Sequence, residues 1–148
     1  MMRTLKANLD ELCDAYATNS AEIEHFLDVE TGKLVVRMDP LLTGVRDEEL
    51  DEELDEGFGE KYLRVPEIET SEAYELTVDF AETVTSSLRN RLKASLSGRK
   101  PFRAFKDALD DFPEEREEWF NFEREAHRRE VLQWLQLHHI TLVHTTET

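Results

Sequence analysis

Residues 22–38 read EIEHFLDVETGKLVVRM, and this stretch decides the fold class. Ile23, His25, Leu27 and Val29 alternate with Glu24, Phe26 and Asp28, a period of two that puts the two sets on opposite faces of a strand. Glu30-Thr31-Gly32-Lys33 reads as the turn, where Gly32 takes positive φ at little steric cost. Leu34, Val35 and Val36 form a β-branched return strand. Lys61–Val65 adds a third short strand, ended by Pro66. A three-stranded meander is too small to be stable alone, so the rest of the chain must cover it.

The flanking sequence is helical in its periodicity. Leu5, Leu9, Leu12 and Tyr16 make one stripe and predict an N-terminal helix over residues 4–17. Past Ser71, read as an N-cap, Ala73, Leu76, Phe80, Val84, Leu88, Leu92 and Leu96 continue a stripe that Thr85, Ser86 and Ser87 weaken. One bent helix and two helices both satisfy it. Ser97-Gly98 stops that segment. Pro101 and Pro113 then each suit the first position of a further helix, with Phe102, Phe105, Leu109 and Phe112 as the apolar face of the first. Glu114, Glu115, Glu117 and Glu118 suit the positive end of the second. The tail beyond His139 is expected to fray. Strands and helices are segregated along the chain, which predicts an α+β fold: an N-terminal helix, a small antiparallel three-stranded sheet and a C-terminal bundle of three or four helices.

The length of 148 residues fits a single domain, 1–148. Residues 39–60 read as an acidic, flexible connection within it. Leu50 and Leu54 stand one helical turn apart there, which leaves a short helix and a disordered segment both open. The formal charge of -16 repels phosphates, so non-specific nucleic-acid binding is not expected. Cys13 is the single cysteine, which excludes an intramolecular disulfide and fits a reducing, cytoplasmic setting. The N-terminus lacks the apolar core of a signal peptide, and no run is long enough to cross a bilayer.

Several residue sets combine types that can carry chemistry. Arg99, Lys100, Arg103 and Lys106 surround the proline that opens a helix, where free N–H groups favour anions. The plainer reading, that these cations balance neighbouring carboxylates while Phe102 and Phe105 fill a core, carries more weight. Glu123, His127 and Glu130 share a helical face at a spacing that can hold a metal or move a proton, yet the same spacing is common on solvated faces. Asp28 and Glu30 are better explained by a turn than by metal binding. Ser86, Ser87, Ser95 and Ser97 lack a nucleophile context, and no phosphate loop, dinucleotide fingerprint or paired-cysteine motif is present. Trp119, Phe120, Phe122 and Trp134 stand beside arginines, a composition found at the centres of protein interfaces.

The segments FLDVETGKLV, YLRVPEI, SGRKPFRAFKDALDDFP and WFNFE, followed by Trp134-Leu135, resemble uncharacterised protein family 0158 of bacteria. The resemblance spans residues 25–135, with RAFKDAL and WFNF as its specific part and residues 39–60 poorly matched. It implies no catalytic residue and no cofactor. The reading is therefore a small acidic cytoplasmic protein without catalysis, metal or cofactor, which binds an unknown protein partner or itself. Arg99, Lys100, Arg103, Lys106, Trp119 and Phe122 are its candidate interaction or anion-binding residues. The alternative is an enzyme or nucleic-acid-processing accessory using Arg103, Lys106, Glu123 and His127.

Overall fold

The structure, a computed structural model, describes residues 3–143. The chain divides into two compact units, residues 1–68 with 127–148 and residues 69–126.

In the first unit, strand β1 (Arg3–Lys6) precedes helix α1 (Leu9–Thr18), the hairpin β2 (Ile23–Asp28) and β3 (Leu34–Met38), short helix α2 (Pro40–Thr43), helix α3 (Glu48–Gly57) and strand β4 (Tyr62–Arg64). The sheet order is β3-β2-β4, with both pairings antiparallel. The three-stranded sheet is thus as the sequence predicts. At the hairpin turn Gly32 has φ 80°, and a Cβ there would stand 2.0 Å from the Lys6 carbonyl oxygen. Conformation and close approach both demand glycine at this position.

The two faces of the sheet are buried by different means. Leu27, Val29 and Val65 join Leu12, Cys13, Ala15 and Tyr16 of α1 in the main core of this unit. On the opposite face, Phe26 and Tyr62 pack against Leu54 of α3, with Val35 and Leu50 at the margin. Of the two readings open for the acidic stretch, the structure has the helix. Asp47 caps it, its Oδ1 accepting from the Leu50 N–H at 3.0 Å, and Leu54 is 2% exposed.

Two terminal expectations are corrected. The stripe read as helix from residue 4 begins as strand β1, and the helix starts only at Leu9, where the Asn8 side chain accepts from the Glu11 N–H. The tail expected to fray contains strand β5 (Ile140–Val143), which pairs in parallel with β1. Leu5 and Ile140 are buried in that core. A single buried residue per strand gave no usable period, and only the partner explains the segment.

The second unit contains α4 (Thr70–Ala81), α5 (Ser86–Leu96), α6 (Pro101–Leu109) and the first part of α7 (Pro113–Leu137). The weakened stripe resolves into two helices. Glu69, not Ser71, is the cap residue of α4. Phe80, Leu88, Leu92, Phe105, Leu109 and Trp119 form the core of this unit. Phe105 meets Phe80 and Trp119 edge-on, at ring separations of 6.4 and 5.0 Å. The whole is α+β, with four helices in its C-terminal part.

Candidate functional site

The connection from α5 to α6 carries the basic residues singled out in the sequence. Lys100 occupies the left-handed region at φ 49°, and Pro101 opens α6. Arg99, Lys100, Arg103 and Lys106 are all exposed. No acid occurs between Glu82 and Asp107, so this hairpin of helices is locally cationic. Nearby cations do pair: Lys93 with Glu82, and Arg91 with Asp111. Among the described residues, none of the four on the α6 end forms an ion pair, contrary to the balancing role expected for Arg103 and Lys106. The other half of that reading stands, because Phe105 is buried and the partly buried Phe102 meets Tyr74 edge-on.

Of the two aromatic candidates, Trp119 is buried and Phe122 is half-buried. Trp119 is 3% exposed, held among Phe80, Phe105 and Phe122. Its ring cannot meet a partner in this conformation. Phe122 stacks on Trp119 at 6.2 Å and packs against the same core. Helical spacing alone could not tell this packing from an exposed stripe.

Several further candidates make contacts within the fold. His127 stands edge-on to the buried Tyr16 ring at 5.4 Å. Asp28 is buried, and its Oδ1 accepts the N–H groups of Glu30 and Thr31, which fixes the turn. Ser95 and Ser97 donate to carbonyls four residues back. Among the described residues, no three His, Cys, Asp or Glu side chains gather in a group that could hold a metal ion.

One concave feature lies outside every residue set singled out for chemistry in the sequence. A cleft of about 570 Å3 lies between β3, α2 and α3, lined by Val36, Met38, Pro40, Val45, Leu50 and flanking charged residues. Its apolar lining is open to solvent, with Val45 72%, Met38 47% and Val36 42% exposed, and Leu41 and Leu42 of α2, outside the lining itself, are 93% and 58% exposed. These five residues fall within a ten-residue run, which is unusual for side chains with so much apolar area. The signal was present in the sequence as Leu41, Leu42 and Val45 inside an otherwise acidic connection.

Charge pairs hold the floor of this cleft. Glu24 accepts from Arg37 at 2.9 and 3.0 Å through one oxygen, and from Arg64 at 2.9 Å through the other. Arg37 extends to Asp51 at 3.6 Å, and Asp51 accepts from Arg46 at 3.0 Å. Arg64 also reaches Glu67 at 3.3 Å. Acids and arginines therefore alternate from Glu67 to Arg46 and tie β4, β2 and β3 to α3. The Arg37 guanidinium lies over the Phe26 ring, 5.3 Å from its centroid. Glu24 and Arg37 are directly opposed across the hairpin, as are Phe26 and Val35.

A second, shallower cleft borders the other side of β3, between it and α1. His25, Lys33, Leu34, Val36, Glu11 and Asp14 line it. Asn19 organises this side: its Oδ1 accepts the His25 backbone N–H at 2.7 Å and stands 3.0 Å from His25 Nδ1, while its Nδ2 donates to the Val65 carbonyl. Since Oδ1 only accepts, the imidazole carries its proton on Nδ1. Burial first, then the Arg64 guanidinium, lowers the His25 pKa below its ordinary value.

The model of the uncharacterised protein family UPF0158 matches residues 2–147. The chain belongs to this family. The match is wider than the span of resemblance read from the sequence and includes both terminal strands. Among curated relatives of this UPF0158 chain is the UPF0158 protein PA5073 of Pseudomonas aeruginosa. It is 32% identical over 136 residues, covering 91% of this chain and 84% of the relative. No solved structure matches the chain. Among the described residues of this UPF0158 member, no helix is long and apolar enough to cross a membrane.

Proposed function

We propose that this UPF0158 protein is a non-catalytic module of the cytoplasm that binds another protein through the face formed by β3, α2 and α3. The observation that carries this reading is the run of exposed apolar residues from Val36 to Val45. Burying such side chains against a partner stabilises a complex by roughly 25 cal/mol per Å2 of apolar area removed from water, before the costs of association. The charge network beneath them supports the reading, because it ties β3, which carries Val36 and Met38, to α3. The four exposed cations Arg99, Lys100, Arg103 and Lys106 form a second contact region, suited to an acidic surface, since no carboxylate among the described residues engages them.

The test uses the full chain as bait in a lysate of the source bacterium, beside a Leu41→Ser/Val45→Ser double variant. Both substitutions are at exposed positions, so the variant is expected to melt as the parent does. Stoichiometric retention of one protein by the parent and its loss by the variant is the expected result. Equal retention by both chains would overturn the assignment to this face. Sedimentation of the isolated chain separates a foreign partner from a second copy: a dimer abolished by the same double variant would mean self-association. Conversion of a small-molecule substrate, lost with Arg103→Ala/Lys106→Ala, would replace the reading by the enzymatic one.

A further inference from the structure

β3 is an edge strand, and the ladder shows which of its backbone groups are unused. The Asp39 N–H donates to the Glu22 carbonyl at 2.7 Å, and the Asp28 N–H donates to the Lys33 carbonyl at 2.9 Å. Between these two points the hydrogen-bonded pairs of an antiparallel ladder alternate with non-bonded pairs. Val35 and Arg37 therefore spend their N–H and C=O on β2. His25↔Val36, Ile23↔Met38 and Leu27↔Leu34 are the non-bonded pairs. The N–H and C=O groups of Leu34, Val36 and Met38 point away from β2, and among the described residues no strand pairs with that edge.

An open edge of this kind is a template for another strand, and proteins ordinarily blunt it. Here it runs between two clefts instead. Val36 lines both of them. Side chains of an added strand alternate in direction, so successive residues would enter one cleft and then the other. Both clefts carry an excess of acid. On the α3 side Arg37 and Arg46 are already engaged by Glu24 and Asp51, while Asp55 has no ion pair among the described residues. On the α1 side Glu11 and Asp14 face a single lysine, Lys33.

We infer that the occupant is an extended segment of a partner protein in which basic and apolar residues alternate, added as a fourth strand to the free edge of β3. This rests on the protein-binding reading above and supplies its chemistry. The backbone groups of Leu34, Val36 and Met38 give the affinity, the exposed apolar rim takes the apolar side chains, and the surplus carboxylates select lysine or arginine. A second copy of this chain is a poor occupant, because two chains of charge -16 repel.

The probe is a capped peptide of about seven residues alternating lysine and valine, long enough to match a typical strand. It is titrated into the full-length isotopically labelled protein. Amide shifts and slowed hydrogen exchange are expected at Leu34, Val36 and Met38, with little change on the β4 edge. A glutamate–valine peptide should bind at least about tenfold more weakly, and added salt should weaken the lysine peptide. Val36→Pro removes an outward N–H without touching the ladder to β2, so it should melt near the parent yet bind the peptide at least about tenfold more weakly, as loss of edge hydrogen bonds requires. Should that variant fail to fold, a peptide N-methylated on the residues facing β3 makes the same deletion on the intact protein and must lose binding. Unchanged affinity with Val36→Pro or with the N-methylated peptide would overturn the inference, as would equal binding of the glutamate peptide. If the peptide fails while the Leu41→Ser/Val45→Ser variant still loses a protein from lysate, strand addition is wrong and the protein-binding reading stands. If the peptide binds and the double variant loses nothing, the edge is the site and the apolar rim is not.

Discussion

The cluster around Phe105 and the cluster around Leu54 are built on opposite plans. The first is a nest of rings, Phe80, Phe105, Trp119 and Phe122, assembled by helices whose apolar stripes are strong. The second has three buried residues, Phe26, Leu54 and Tyr62, ringed by alternating arginines and carboxylates. Rings exclude water over a large area and need no charged partner. Ion pairs have to be placed by a framework, and they leave the helix they hold close to solvent. Helix α3, despite its composition, is thus attached to the sheet by a small apolar contact and specified by charge.

The largest effect should come from the ring cluster. Phe105→Ala removes a side chain that is 1% exposed and should cost about 3–5 kcal/mol. Denaturant unfolding of the variant measures it, and an unchanged midpoint would show that the rings do not pack as a core.

Leu54→Ala is next, at about 2–5 kcal/mol for a buried leucine. The loss should be seen first as faster amide exchange along Glu48–Gly57, with the amides of β2 less affected. If β2 and α3 lose protection together, the acidic helix is an integral part of the core and the contrast between the clusters disappears.

Glu24→Ala strips the carboxylate shared by Arg37 and Arg64. Charge-assisted hydrogen bonds of this kind contribute about 1.5–3 kcal/mol each, and partial exposure should keep the observed loss near the lower end. The difference between parent and variant should shrink in high salt, unlike that of Phe105→Ala. Equal salt dependence would indicate that packing, not charge, places α3.

The smallest effect concerns pH. Because His25 has a folded pKa below its unfolded value, the native state disfavours the imidazolium. Stability from this group is complete above the unfolded value of about 6.5 and is lost as pH falls through the lower folded pKa. His25→Gln should flatten the acid limb of the melting curve between neutral pH and mild acid. An identical pH profile would remove His25 from the account.

The ring cluster was largely legible in the sequence, since the stripe from Ala73 to Leu96 and the Phe102–Phe112 face repeat at helical spacing over many turns. So was the hairpin, through strict alternation around Gly32. Strands β1 and β5 were not legible, because each is four residues long and owes its existence to the other. The cleft was missed for a related reason. Leu41, Leu42 and Val45 follow no period, and their exposure is a property of the packed sheet and α3. Trp119 and Phe122 show the converse: their residue types suit an interface, yet spacing on α7 could not say which way they turn.

The parallel pair of β1 and β5 joins Arg3 to Ile140. That pairing places a constraint on synthesis. Residues 69–126 are contiguous, and all of them have been made before β5 exists. At roughly 5–20 residues per second, β1 waits on the order of ten seconds for its partner. Meanwhile the buried positions Leu5, Ala7 and Leu12 lack Val131, Leu135 and Ile140, which complete their core. The unit that holds β1 therefore closes only after all of residues 69–126 has been made, and the appearance of β5 sets the moment at which it becomes native.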